Sequence, residues 1–128
     1  MSRRDAREIA FKLVFEYNFN KVENNEALEE YTVGSPADDV AFVKEVYFGV
    51  VGHFDELMEK ISENAEKFAT DRLYKVDLAI LLLAIYEILY VEEVPYKVSV
   101  DEALNLAKKY STEKSSKYIN GVLAKFAR

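Results

Sequence analysis

The sequence contains no cysteine, one histidine, two prolines and four glycines among its 128 residues. Without cysteine the chain can form no disulfide, no thiolate metal site and no cysteine nucleophile. A single histidine, His53, excludes an HExxH site and most histidine-rich metal sites. The scarcity of proline and glycine leaves few points at which regular structure must break, and this favours helices joined by short loops.

The chain also lacks a long hydrophobic run. Its most apolar stretch, residues 78–86, is too short to cross a bilayer and lies between Asp77 and Glu87. The opening residues, MSRRD, contain no apolar core of a secretory signal. We therefore expect a cytoplasmic protein that does not enter a membrane.

Motifs for nucleotide binding and acyl transfer are absent from the sequence. There is no GxxxxGK(S/T), no GxGxxG and no GxSxG. Adjacent carboxylates such as Asp38-Asp39 and Glu92-Glu93 point in different directions on a helix, so they suit helix capping and solvation better than paired catalysis. The sequence predicts a protein that is not an enzyme and that needs no metal or cofactor.

Apolar residues recur at three- and four-residue spacing through most of the chain, which is the period of an α-helix. The pattern predicts helices over about 4–19, 25–33 and 73–91, others from Pro36 and through 57–68, one opened by a Ser99–Glu102 capping box, and a last one from Lys114. The 73–91 helix is apolar nearly all round, so it belongs in the middle of a bundle. We expect an all-α fold of about seven helices in two small packed bundles. Residues 1–128 would form one domain, with sub-bundles of roughly 1–70 and 71–128.

Charge is unevenly distributed along the chain. The net charge is −6, yet residues 1–21 carry +2, residues 22–77 carry −9 and residues 108–128 carry +5. Two basic ends therefore flank an acidic middle, and exposed charges act over only about 8–10 Å in physiological salt. The ends suit an anionic partner such as nucleic acid, although ordinary solvated helix faces would carry charge runs too.

Three arginines stand at the start of the first predicted helix. Arg3 and Arg7 are one turn apart on the same face, and Arg4 lies beside them. Guanidinium groups bind phosphate through paired donors and can stack on bases. Positive charge at a helix N-terminus opposes the helix dipole by about 0.3–1 kcal/mol, so helix stability alone does not account for it. RNA contact is one interpretation, and a solvated first turn is the other.

The last predicted helix opens with KSSKYING at residues 114–121, a mixture of cations, hydroxyls, an aromatic ring and an amide. Single-stranded RNA is held by phosphate neutralisation, base stacking and hydrogen bonds to base edges. Lys117, Tyr118 and Asn120 are therefore candidates for RNA contact. Tyr118 also continues the apolar stripe of Val122 and Phe126, so a core role is the alternative.

Glu87 lies within an otherwise apolar stretch of the central helix. A buried carboxylate needs partners. They could be a helix N-terminus or a lysine within the chain, or Glu87 could contact a protein partner at the edge of the helix.

Four segments, in this order, resemble the NusB family. They are RRDAREIAF at 3–11, VDLAILLLAIYE at 76–87, VPYKVSVDEA followed by LAK within 94–108, and KYINGVL at 117–123. The resemblance implies an all-helical fold and a factor that pairs with the ribosomal small-subunit protein that doubles as NusE. Such a pair binds the single-stranded boxA element of nascent ribosomal RNA and, in the antitermination complex, helps RNA polymerase read through terminators.

The resemblance also implies site residues, carried over by position. The RNA contacts would be Arg3, Arg4, Arg7, Lys117, Tyr118 and Asn120, with Phe15 nearby. The partner face would include Asp77, Tyr86 and Glu87. Self-association of the free protein as a homodimer, through the surface that the partner covers, is a further expectation. The alternative to this whole reading is a helical protein–protein adaptor without RNA binding.

Overall fold

The computed structural model describes residues 3–64 and 74–127, which form seven α-helices and no strand. The helices are α1 (Arg3–Asn20), α2 (Asn25–Thr32), α3 (Ala37–Gly52), α4 (Phe54–Asn64), α5 (Lys75–Tyr90), α6 (Tyr96–Tyr110) and α7 (Glu113–Ala124). The prediction of an all-α fold with about seven helices is confirmed. The predicted sub-bundle boundary near residue 70 and the predicted helix start at Leu73 lie outside the described residues.

Local sequence signals account for several helix ends. The side chain of Asn24 accepts a hydrogen bond from the amide of Ala27 at 2.9 Å and so caps α2. Gly34 has a positive φ of 79° between α2 and α3, a conformation that glycine adopts without steric cost. Thr112 caps α7 by accepting from the amide of Ser115 at 3.1 Å. These polar contacts satisfy amides that have no partner within their helix.

Helix α5 is the centre of the fold. Residues 77–88 are all buried, because α1, α3, α4, α6 and α7 pack around this helix. The buried apolar side chains of the described residues form one continuous core rather than two separate ones. None of the helices in the described ranges is long and apolar enough to cross a membrane.

The predicted capping box at the start of α6 is wrong. The helix begins one turn earlier, at Tyr96, and Ser99 is buried inside it. The reason is Pro95, whose φ of −61° suits a helix start and whose carbonyl accepts hydrogen bonds from the amides of Val98 and Ser99. The side chain of Ser99 therefore faces the protein interior instead of closing the helix end.

Candidate functional site

A row of ion pairs at the surface joins α1 to α6. Arg4 donates two hydrogen bonds to Glu102, both at 3.1 Å. One turn further along α1, Glu8 accepts from the Lys109 ammonium at 2.9 Å and from the Tyr110 hydroxyl at 2.6 Å. This row holds the arginine-bearing end of α1 in a defined position on the molecular surface.

Arg3 and Arg4 are both accessible to a ligand. Their side chains are 45% and 66% exposed. Arg3 donates to Asp39 at 3.2 Å and its guanidinium lies 4.5 Å from the centre of the Phe42 ring. The Arg4–Glu102 pair is exposed and contributes little to stability, so a phosphate group can replace that carboxylate.

Arg7 lies inside the molecule. It is 5% exposed and donates three hydrogen bonds of 2.9–3.2 Å to Glu87, which is 2% exposed. Burial raises the pKa of Glu87, and the hydrogen bonds and charge of Arg7 oppose that shift. The prediction that Glu87 needs a partner is confirmed, although the partner is an arginine rather than a lysine or a helix N-terminus. Arg7 therefore does not share an accessible surface with Arg3 and Arg4.

An aromatic groove of about 470 Å³ runs along the second half of α1. Its aromatic residues are Phe11, Phe15, Phe19, Tyr31 and Tyr110, and Lys12, Glu16, Asn20 and Val76 complete the lining. The rings of Phe15 and Phe19 meet edge to face at 5.0 Å, and Phe19 is 60% exposed. Open aromatic faces in a groove are the usual platform for bases of a single strand.

The sequence predictions included Phe15 but missed Phe19, Tyr31 and Tyr110. The four-residue spacing of Phe11, Phe15 and Phe19 was a signal for one stripe of α1. Tyr31 and Tyr110 reach the groove from α2 and α6. No spacing in the sequence could place these two beside α1, because only packing brings the three helices together.

The start of α7 is tied to the start of α5. Asp77 accepts hydrogen bonds from the hydroxyls of Ser111 and Ser115, each at 2.6 Å. Because Val76 and Tyr110 line the aromatic groove, this clamp places the beginning of α7 beside it. Asp77 itself is buried and has a positioning role within the chain.

The candidate RNA residues of α7 differ in exposure. Lys117 and Asn120 are exposed, whereas Tyr118 is half-buried and packs against the core. Burial, and secondarily the charge of Asp77, raise the pKa of the Tyr118 hydroxyl. Both interpretations of Tyr118 thus describe part of its surroundings, since one part of the side chain is core and another is accessible.

The three predicted partner residues, Asp77, Tyr86 and Glu87, are all buried. Contact with a partner stays a prediction for them. Tyr86 also packs against His53 and Tyr90, which belong to an accessible cluster that the sequence did not reveal. This α4–α5 cluster comprises His53, Glu56, Tyr86 and Tyr90. His53 stacks on Tyr90 with 4.3 Å between ring centres, and the Tyr90 hydroxyl donates to Glu56 at 2.6 Å.

The α4–α5 cluster combines aromatic surface with negative charge. Tyr90 is 38% exposed. The hydrogen bond from Tyr90, followed by that from His53, lowers the pKa of Glu56, so its carboxylate is charged at neutral pH. Within residues 3–64 and 74–127, no three histidine, aspartate or glutamate side chains are grouped so as to hold a metal ion.

Comparisons with known proteins agree with this fold. The NusB family model matches residues 4–128. The transcription antitermination protein NusB of Clostridium novyi (strain NT) is 39% identical over 127 residues, covering 96% of each chain. The structure of T. maritima NusB is 32% identical with a TM-score of 0.91 and covers 99% of this chain and 91% of that one. A structure of the antitermination factors NusB and NusE in complex with dsRNA has the same fold at 24% identity, with a TM-score of 0.86 and coverage of 97% and 94%. The chain belongs to the NusB family.

Proposed function

We propose that the protein is an RNA-binding transcription antitermination factor that acts with the ribosomal small-subunit protein serving as NusE. The pair binds the boxA element of nascent ribosomal RNA and, in the antitermination complex, helps RNA polymerase read through terminators. Family membership supports the general role. The observation that carries the RNA proposal is the aromatic groove along the second half of α1, the helix whose first turn carries the exposed Arg3 and Arg4.

In this proposal each part of the interface performs a separate task. Arg3, Arg4 and Lys117 neutralise phosphates, and their exposure lets them do so without unfolding a helix. Phe15 and the accessible part of Tyr118 provide stacking faces, as single-stranded RNA requires. The amide of Asn120, about two turns into α7, can hydrogen-bond to a base edge.

The partner would bind at the α4–α5 cluster. An accessible tyrosine beside a charged carboxylate is suited to a basic protein, because aromatic residues dominate interface energetics and complementary charge speeds association. Exposed Glu45, Glu92 and Glu93 add to the acidity of neighbouring elements. The related complex in which NusB and NusE occur together supports a protein partner for this fold.

The RNA proposal is tested by fluorescence anisotropy with a boxA-like single strand and a scrambled strand, with and without NusE. We expect preference for boxA and tighter binding with the partner. Replacing Arg3 and Arg4 together by Ala should weaken binding and flatten the log–log salt dependence by about 0.7 per lost phosphate contact. Lys44→Ala, an exposed cation on α3, is the control and should change neither. If the wild-type pair shows no boxA preference, the chain is an adaptor without specific RNA binding.

Two tyrosines of similar exposure separate the two surfaces. Tyr31 in the groove is 42% exposed and Tyr90 in the α4–α5 cluster is 38% exposed. Tyr31→Ala should weaken RNA binding by about 1–3 kcal/mol if a base stacks there, and should leave NusE binding intact. Tyr90→Ala should weaken NusE binding, measured by calorimetry, and leave RNA binding intact. If Tyr31→Ala weakened only NusE binding and Tyr90→Ala weakened only RNA binding, the two surfaces would be assigned the wrong way round.

A further inference from the structure

We infer that Arg7 serves RNA binding as a positioning residue and not as a phosphate contact. Its buried ion pair with Glu87 holds the first turn of α1, and that turn carries the two exposed arginines, Arg3 and Arg4. The inference rests on the proposed RNA function and assigns Arg7 a different task from the two arginines before it.

The geometry prevents a phosphate from reaching Arg7 in the folded chain. The side chains of Arg7 and Glu87 are 6% and 2% exposed, and both the Nε and an Nη of Arg7 donate to the carboxylate. A phosphate would have to displace Glu87 and leave it buried without its countercharge, which is strongly unfavourable. Lifting Arg7 out would also remove its guanidinium from Phe42, whose ring centre lies 5.0 Å away.

The first turn of α1 needs such an anchor. Cations at a helix N-terminus oppose the helix dipole, and Asp5 is the only acidic residue in this turn. The first amides of a helix also have no partner within it, so an unanchored turn frays. Arg7 begins the next turn and is joined to α5, and the guanidinium groups of Arg3 and Arg7 both lie over Phe42.

An anchored turn presents its arginines already ordered. Binding then loses less conformational freedom than it would with a frayed end. The pair joins positions 80 residues apart, so α5 directly sets where the first turn of α1 lies. The effect of Arg7 on RNA should therefore pass entirely through the position of Arg3 and Arg4.

The decisive variant replaces both members of the pair, Arg7→Met with Glu87→Met. Apolar replacements of both partners in a buried ion pair commonly preserve stability, whereas removal of one partner does not. We expect Arg7→Met alone to weaken RNA binding about tenfold with an unchanged salt slope, and the double variant to recover most of the affinity. Amide exchange of residues 4–10 should rise in the single variant and return to the wild-type rate in the double variant.

Arg7→Lys provides a second test that does not depend on the double variant folding. Lysine keeps the charge but cannot make the forked hydrogen bonds to Glu87. If Arg7 positions the first turn of α1, Arg7→Lys should bind RNA more weakly with an unchanged log–log salt slope. Arg4→Ala is the control for a direct contact and should flatten the slope by about 0.7.

The inference is overturned if the folded double variant stays as weak as Arg7→Met and both have a slope flattened by about 0.7, because Arg7 would then contact a phosphate. It is also overturned if Arg7→Lys binds RNA as tightly as the wild type. Failure of the proposed function has a different signature. The wild-type protein with NusE would show no salt-dependent RNA binding at all, and both proposals would fall.

Discussion

Arg4, which we propose contacts RNA, is already paired with Glu102 at the surface. The two hydrogen bonds from Arg4 and the charge of Glu102 raise the pKa of the guanidinium, so Arg4 is always charged. Its positive charge is nevertheless matched by a carboxylate 3.1 Å away. RNA has to compete with Glu102 for the same donors, and the free protein should bind RNA less tightly than its exposed arginines suggest.

Glu102→Gln should therefore tighten RNA binding. An exposed ion pair contributes little, so the gain in affinity should be about two- to fivefold at most. The salt dependence should stay the same or become steeper, since no cation is lost. Asp101→Asn removes the same charge from the next position on α6 and is the control, because Asp101 pairs with Lys97 instead. Anisotropy titrations of both variants decide the matter, and an equal gain for Asp101→Asn would mean that only the net charge counts.

Glu8 should make stability depend on pH. Hydrogen bonds from the Tyr110 hydroxyl and then from Lys109 lower the pKa of Glu8 below its ordinary value of 4.5. A carboxyl whose pKa is lower in the folded state stabilises the fold above the unfolded-state pKa, and this contribution is lost as the pH falls through the folded-state pKa.

The wild type should accordingly be more stable than Glu8→Gln at neutral pH. The difference should shrink as the pH falls below about 4.5. Urea unfolding of both proteins at a series of pH values measures it. The contribution of Glu87 to the pH dependence of stability has the opposite sign, because its raised pKa favours the folded state at low pH. Both proteins contain Glu87, so its contribution cancels in the difference between them. A gap that stays constant to pH 3 would contradict this role of Glu8.

At the scale of helices, α3 and α5 cross at Gly49. A Cβ atom built on Gly49 would overlap the end of the Tyr86 ring. The ring cannot easily turn aside, since His53 and Tyr90 lie 5.9 and 5.2 Å away between ring centres. The missing side chain of Gly49 thus lets Tyr86 seat between the two helices and supports the α4–α5 cluster.

Gly49→Ala should destabilise the protein. Replacing glycine by alanine within a helix stabilises it by about 1 kcal/mol, whereas overpacking typically destabilises by about 1–3 kcal/mol. The net effect on the free energy of unfolding should therefore be destabilising. Displacement of Tyr86 should also weaken binding of NusE. Gly52→Ala is the matched control, because a Cβ there meets nothing within 4 Å, and it should be neutral or stabilising. Thermal unfolding of both variants tests this, and equal effects would show that helix propensity alone matters.

At the scale of the whole molecule, the proposed RNA surface and the proposed partner surface both include residues of the central helix α5. Val76 at the start of α5 lines the aromatic groove, and Tyr90 at its end belongs to the α4–α5 cluster. Lys12 of α1 and Lys109 of α6 both pair with Glu8, so basic residues from the two ends of the chain lie close together, while Glu45 and Glu56 lie on α3 and α4. Under the proposed function, a basic protein and an RNA strand therefore bind different surfaces and do not compete for the same charged groups.

Simultaneous binding should be cooperative. We expect NusE to tighten boxA binding, and RNA must then tighten NusE binding by the same factor, since coupling between sites is reciprocal. Calorimetric titration of NusE with and without boxA RNA measures one side of the cycle, and anisotropy measures the other. Equal affinity of NusE in both titrations would mean that the protein does not couple its partners.

Helix number and type were predictable because their signals are local. Three- and four-residue apolar spacing, the helix start signalled by Pro36 and the apolar run of α5 predicted most of the helices. The resemblance of four segments predicted the NusB family, which the comparisons confirm. The start of α6 was misplaced because two local signals, Pro95 and Ser99, competed, and the local pattern did not show which one began the helix.

Tertiary structure alone decided which charged residues face solvent. Arg3, Arg4 and Arg7 look alike in the sequence, yet only Arg7 points at α5 and finds Glu87, 80 positions away. Asp77 likewise finds the serines at the start of α7, and Tyr31 and Tyr110 join the phenylalanines of α1. Sequence patterns report the periodicity of one helix at a time, whereas burial and pairing depend on which helices pack together, and that is set by the shared core around α5.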